Sequence, residues 1–341
     1  MSSARRQHPV VGMLRSLAAP APFVVTLALA LQACDDGRTP LGPEAEPVPA
    51  PGAGIAPNDA IASLTTADRI VFTSFRNNGQ ADIYKMDPLG QNLVPLTTSS
   101  AYETRPAWSY DNIRVALVRP RPYGPNYYDD IYLVRRDGSD GHWARPTAAP
   151  FHITDPSWSP DGTRLLVAVY TTGGPYLAKL DLASGQLSYV TYYASPYSPS
   201  VVPGTKPTYD PTGKIIAFVG PTAKTLDRLV NNSLTHLVSA DGPIGRPAFS
   251  RDGTKIAYSR MLSGTINSEI FVRALADGTT KRLTNDPGFD GEPTWSPDGS
   301  KLAFTSTRSG QYQIYTMTAS GGSVTRITKT STKEQGPAWT H

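Results

Sequence analysis

Four histidines, His142, His152, His236 and His341, follow the first stretch of the chain, and none stands at the His-x-x-x-His spacing that places two imidazoles on one metal. The paired acids Asp129-Asp130 could serve as general acid and base. Asp130-Ile131-Tyr132, however, aligns with Asp82-Ile83-Tyr84 and Glu269-Ile270-Phe271, so that acid belongs to a repeat and is predicted to be structural. There is no Gly-x-Ser-x-Gly elbow and no phosphate-binding glycine loop. No catalytic constellation, cofactor or metal is therefore expected, and a binding protein is favoured over an enzyme. The side chains left to act by contact are tyrosines: Tyr123, Tyr127 and Tyr128 in one segment, Tyr192, Tyr193 and Tyr197 in another. Their rings can stack on sugars or anchor a protein partner, or pack their own loops.

Cys34 is the single cysteine, which excludes an internal disulfide and makes its position informative. Residues 1–33 run from a basic start through the apolar stretch Leu17 to Leu31 to small residues, the layout of a secretory signal. Leu31-Gln32-Ala33-Cys34 resembles the lipobox of bacterial lipoproteins, which implies lipidation at Cys34 and a membrane anchor. Residues 34–68 hold Pro40, Pro43, Pro47, Pro49, Pro51 and Pro57 among Gly, Ala, Glu and Asp, a composition that buries no core and predicts a disordered tether. The formal charge of +4 includes Arg5, Arg6 and Arg15 of the signal, so the mature chain sits near +1. Nucleic acid is not an expected partner.

The remaining residues, 69–341, repeat one unit. Its clearest copy is Pro293-Thr294-Trp295-Ser296-Pro297-Asp298-Gly299, followed by Lys301 to Ser306, Gln313 to Met317 and Thr325 to Thr328. The anchor aromatics Trp108, Trp158, Tyr209, Phe249, Trp295 and Trp339 recur at blade-length intervals. Short β-branched or aromatic runs bounded by Gly and Pro exclude a helical solenoid. The fold class is all-β, a six-bladed β-propeller of four-stranded blades. Residues from Arg69 lack a preceding anchor strand and the chain reaches its last anchor at Trp339, so the C-terminal strand is predicted to join the first blade and close the ring.

The Pro-x-Trp-Ser-Pro-Asp-Gly turn with Lys-Leu-Ala-Phe and a later Ile-Tyr strand resembles the WD-repeat-like unit of TolB propellers, over essentially all of the chain after the tether. The resemblance implies an extracytoplasmic protein on the periplasmic side of the cell envelope or the cell surface, recognising a protein or peptide. Full TolB proteins carry an α/β domain before the propeller, where this chain has the tether. The alternative is a carbohydrate-binding or carbohydrate-active propeller with lyase- or glycosidase-like chemistry. A monomer is expected.

Antiparallel strands alternate in direction, so consecutive loops alternate between the two faces of the disc. The Ser-Pro-Asp-Gly turns, with Asp137-Gly138, Asp241-Gly242 and Asp277-Gly278, are assigned to one face, called here the turn face. The longer segments Pro120 to Asp129, Thr191 to Lys206, Pro221 to Ser233 and Arg260 to Ser268 are assigned to the opposite, loop face, the candidate partner surface. At the channel mouth on that face stand the residues preceding the blade prolines: Arg105, Asp155, Lys206, Arg246 and Glu292. They could hold an ion or a peptide terminus, or form salt bridges between blades, as could Glu103, Asp290 and Glu334.

Overall fold

The computed structural model describes residues 69–341 except 196–197. Cys34, the signal (1–33), the tether (34–68) and Tyr197 lie outside the described residues. Within them every regular element is a β-strand, and the strands form six four-stranded antiparallel sheets and one two-stranded hairpin. Each sheet begins with the strand that ends on an anchor aromatic: Thr104–Trp108, His152–Trp158, Thr205–Tyr209, Ala248–Phe249, Asp290–Trp295 and Glu334–Trp339. These six strands contact one another in sequence, and Glu334–Trp339 touches both Asp290–Trp295 and Thr104–Trp108, which closes the circle around a central channel.

Closure is a strand pairing across the whole domain. Glu334–Trp339 lies antiparallel to Ile70–Asn77, with Ile70 opposite Trp339 and Val71 opposite Ala338. The sheet that results, with Gln80–Met86 and Val94–Pro95 outside, is blade 1; the others are numbered 2 to 6 along the chain. Closing the ring removes the unpaired edge that an open array would expose.

The core lies between blades. A strand's alternate side chains point to opposite faces, and in a propeller both faces meet a neighbouring blade. Ile70 and Phe72 accordingly pack with Ala303 and Ile314 of blade 6 and with Trp339, while Val71 and Ile83 pack with Trp108, Val115 and Leu117 of blade 2. Burial on both faces is why strands such as Leu165-Leu166-Val167-Ala168-Val169 read as continuous apolar runs rather than as alternation. The anchors stitch neighbours together. Trp158 Nε1 donates to Ala107 O (3.0 Å) and Trp295 Nε1 to Ala248 O (3.1 Å), each in the preceding blade.

The turn after each anchor is fixed by its own side chains. Ser296 Oγ donates to Asp298 Oδ1 (2.6 Å) and accepts from Lys301 N–H (2.9 Å), while Gly299 takes φ +69°. Ser159 with Asp161 and Ser250 with Asp252 repeat the arrangement. In blade 4 Asp210 takes the serine's place and accepts from Ile215 N–H (2.8 Å).

Three loop assignments are corrected. Pro221 to Ser233 is not a long loop, because it contains the strand Thr225–Val230 and a two-residue turn, Asn231-Asn232, leading into Ser233–Ser239. Both asparagines have positive φ, +48° and +63°, the backbone of a tight hairpin that Asn tolerates and that here replaces Asp-Gly. Asp241-Gly242 follows the fourth strand of blade 4 and so belongs to the interblade connection, on the loop face. A glycine is needed there because a Cβ would approach Met261 O to 2.5 Å. Pro120 to Asp129 is not a loop but a projecting arm, made by extending Arg114–Tyr123 and Asn126–Arg135 to a tip at Gly124-Pro125.

Candidate functional site

The channel wall is built from the anchor strands, and one position in each decides what faces the channel. Before the blade proline the register slips and the backbone turns left-handed: Arg105 (φ +55°), Asp155 (+55°), Lys206 (+52°), Glu292 (+55°) and Gly336 (+64°). Arg246 of blade 5 holds the equivalent place without positive φ. A bulge re-aims a side chain out of the ladder. Left-handed backbone costs a non-glycine residue about 1–2 kcal/mol. Gly336 is the residue such a backbone favours, whereas four blades keep a charged side chain at the same point.

The structure brings Arg105, Lys206 and Arg246 together around Asp155. Arg246 Nη2 lies 3.1 Å and Arg105 Nη1 3.4 Å from Asp155 Oδ1, from blades 5 and 2 respectively. Burial pushes the Asp155 carboxyl up, but Arg105, Arg246 and Lys206 together outweigh it and hold the pKa at about 2. Lys206 moves in the other direction. Burial lowers its pKa, Asp155 opposes this, and the like charges of Arg105 and Arg246 add to the lowering. Glu292 is engaged on the far side, accepting from Thr305 Oγ1 (2.7 Å) and Gly336 N–H (2.8 Å).

Ion pairing between blades thus holds for the ring but not for the outer acids. Glu103 pairs with Arg119, Asp290 with Arg308 and Glu334 with Arg76, each across two strands of one blade. Asp130 lies 3.3 Å from both Arg121 and Arg145, and Glu269 accepts from Arg282 and Thr284, so the repeated acids are structural.

The two mouths of the channel differ. At the turn face, the residues two beyond five of the six anchors line the channel, and three of these meet: the His341 ring stacks on Tyr110 (3.9 Å, 8°), and Arg251 crosses from blade 5 to lie over Tyr110 (5.5 Å). His341 N–H donates to Asn112 Oδ1 and its carbonyl accepts from Asn112 Nδ2, both at 2.9 Å. Below this cap lies a cavity of about 120 Å³. The loop-face mouth opens onto the charged ring, where the Arg105 side chain remains 39% exposed.

Burial and the nearby Arg251 lower the His341 pKa to about 4, so the folded state keeps this imidazole neutral where the unfolded chain takes up a proton near pH 6.5. The stability it contributes is complete above pH 6.5 and is lost as pH falls towards 4, on the order of 3 kcal/mol. Denaturant midpoints measured between pH 7 and pH 4 are expected to show that loss, and His341→Phe, which keeps the stack, is expected to reduce it.

The candidate tyrosines separate into two places. Tyr123 and Tyr127 are exposed on the arm of blade 2 (44% and 48%), while Tyr128 packs edge-on against Tyr123 (6.2 Å) and His152 (5.2 Å). Tyr192 and Tyr193 lie on the hairpin Thr191–Ser195/Ser198–Val201, whose Tyr193 N–H donates to Asn232 O (3.0 Å). Asn232 belongs to the turn between the third and fourth strands of blade 4, so this hairpin runs down the outer rim away from the channel mouth. The anchors Trp108, Trp158, Tyr209, Trp295 and Trp339 are buried and Phe249 half-buried, all structural.

Missed from sequence was an aromatic belt on the loop face. Tyr102 meets Phe75 edge-on (5.9 Å), Lys333 Nζ lies over both Phe75 (5.1 Å) and Tyr312 (4.9 Å), and Tyr312 meets Phe289 (5.7 Å). Tyr102, Phe289 and Lys333 share one repeat position, four residues before Pro106, Pro293 and Pro337, but differ in residue type, while Phe75 and Tyr312 come from other positions, so the repeat marks the place without marking its aromatic character.

Residues 202–341 match the model of the TolB beta propeller domain. The crystal structure of TolB from Acinetobacter baumannii superposes with a TM-score of 0.66 at 22% identity, covering 80% of this chain and 66% of that one. Residues 69–341 form a TolB-like β-propeller. In sequence the chain is 29% identical over 199 residues to a protein TolB homolog of Chlorobium luteolum, a match covering 54% of this chain and 44% of that protein. It is also 26% identical over 172 residues to the uncharacterized peptidase YuxL of Bacillus subtilis, covering 50% and 24%. The TolB-like chain thus spans under half the length of these curated relatives. Among the described residues no group of three or more His, Cys, Asp or Glu could hold a metal ion, and no helix is long and apolar enough to cross a membrane.

Proposed function

We propose that this chain is an extracytoplasmic binding or scaffold protein of the bacterial cell envelope, held to a membrane through Cys34 and its tether, that takes a protein or peptide partner on the loop face of its propeller. The observation that carries this reading is the asymmetry of the channel. One mouth is capped by Tyr110, His341 and Arg251; the other presents a charged ring flanked by the arm and the aromatic belt. A rigid scaffold with exposed aromatics around a charged centre suits a protein interface, where aromatic and arginine side chains contribute most. The TolB-like relatives support an envelope setting.

The belt favours a second reading, a carbohydrate ligand, because Tyr102 and Tyr312 offer ring faces of the kind that stack on sugars. A crosslinking pull-down from the native envelope separates the two. Tyr123→Ser with Tyr127→Ser is expected to reduce recovery of protein partners at least fivefold with the fold intact, and Tyr193→Ser on the rim to leave it unchanged. Equal recovery by the arm variant would refute the protein reading, and retention by polysaccharide instead would favour the carbohydrate one.

A further inference from the structure

We propose that the ring at the open mouth is a carboxylate-binding site, and that the carboxylate it takes is the free C-terminus of a peptide partner; this rests on the loop face being a protein-binding surface. The charges argue for an anion. Arg105, Lys206 and Arg246 converge on a single acid, Asp155, whose one carboxylate already meets both guanidinium groups. Glu292, the other acid, is committed to Thr305 and to the backbone at Gly336. The five side chains sum to +1, which a monoanion neutralises and a dianion overshoots.

Lys206 is the telling member. It stands on left-handed backbone at φ +52°, between two like charges, and its ammonium makes no hydrogen bond or contact-distance ion pair among the described residues. Each of these opposes folding, and within the ring only the attraction of Asp155, which both arginines already engage, offsets them. A charged group retained against strain and repulsion is what a preorganised anion site requires. The guanidinium groups of Arg105 and Arg246 supply the forked donors that match a planar carboxylate.

Size selects the source. The cavity beyond the ring, lined by Arg246 and the anchor strands, holds about 120 Å³ and is narrowed at the turn face where His341 stacks on Tyr110, so it favours a terminal group entering end-on over a passing chain or an oligosaccharide. A terminal carboxylate with a small last side chain meets that limit. The belt and the arm are then placed to contact the residues before it.

The probe is the N-terminally fluorescein-labelled tetrapeptide Gly-Ala-Phe-Ala as the free acid, read by anisotropy with the full chain in detergent. The free acid is expected to bind at least tenfold more tightly than the same peptide as its amide, about 1.4 kcal/mol. Lys206→Met is expected to lower free-acid affinity about tenfold without lowering the thermal midpoint, since Asp155 keeps both arginines and the variant relieves their repulsion with the lysine, and Lys206→Arg to keep it. Equal binding of acid and amide, no binding of the acid up to about 1 mM, or an unaffected Lys206→Met would overturn the proposal. An amide peptide with an internal aspartate that binds as tightly as the free acid would reassign the site to side-chain carboxylates, and tighter binding of galacturonate to uronates. If Lys206→Met still captures the envelope partner that Tyr123→Ser/Tyr127→Ser loses, the carboxylate site falls while the loop-face reading stands.

Discussion

Removal of residues 336–341 is expected to abolish cooperative folding of the ring. The lost segment carries Trp339, 3% exposed and packed against Ile70, Phe72, Met86, Ala303 and Ile314, at the one interface where the last blade meets the first. It also carries the pairing of Ile70 and Val71 with Trp339 and Ala338, and the bond from Thr340 N–H to Arg69 O. Truncating a buried tryptophan alone costs about 3–5 kcal/mol. Further apolar contacts and ladder bonds go with it, against a total stability of about 5–15 kcal/mol for a domain. The strand Ile70–Asn77, which opens with Ile70, Val71 and Phe72 and is buried through Ser74, would become an open edge available to other chains. Circular dichroism on heating should show no sharp transition for the truncated chain, and sedimentation should show aggregates. A truncated monomer that melts like the parent would refute closure as the source of stability.

Asp155→Asn should destabilise the fold by about 3 kcal/mol at pH 7, because it leaves Arg105, Lys206 and Arg246 facing one another without their shared counter-charge. Asp155 is 4% exposed, so solvent screens the loss little, while the partial exposure of its arginine partners places the effect at the lower end of the range for buried pairs. The folded pKa of about 2 lies below the ordinary carboxylate value, so this contribution is complete above about pH 4 and is lost as pH falls towards 2. Adding Lys206→Met to Asp155→Asn is expected to recover part of the loss, since it removes one of three repelling charges. Urea unfolding of the two single variants and the double variant at pH 7 measures each term. An Asp155→Asn midpoint within error of the parent would show that the ring is not electrostatically coupled.

The period was legible because each blade repeats a turn whose chemistry is local. Ser, Asp and Gly at fixed offsets bond to one another within six residues, so Trp295 to Lys301 can be recognised without knowing what surrounds it. Closure followed from the same logic, since an anchor strand and an anchorless blade are each incomplete. The prolines after Arg105, Asp155, Lys206 and Glu292 marked the ring positions, although the left-handed backbone that aims them inward could not be seen.

What failed depended on distance. Asn231-Asn232 lacks the glycine that marks a tight hairpin in sequence, and the glycine of Asp241-Gly242 serves a close approach to Met261 some twenty residues on. Tyr192 and Tyr193 were assigned to the loop face by loop length alone, whereas a bond to Asn232 in the next blade carries them down the rim. In the belt, Tyr102, Phe289 and Lys333 share one repeat position but differ in residue type, and their contacts with Phe75 and Tyr312 form only in the folded ring, so the repeat alone does not show them as one surface.

Photo-crosslinking from defined positions tests partner binding most directly. A benzophenone amino acid replacing Tyr127 on the loop-face arm, or Ser300 beside the opposite turn, would be irradiated in native envelopes and the adducts compared. Loop-face binding predicts a discrete protein adduct from Tyr127 and none from Ser300. An adduct of equal yield from Ser300, or from that position alone, would contradict it.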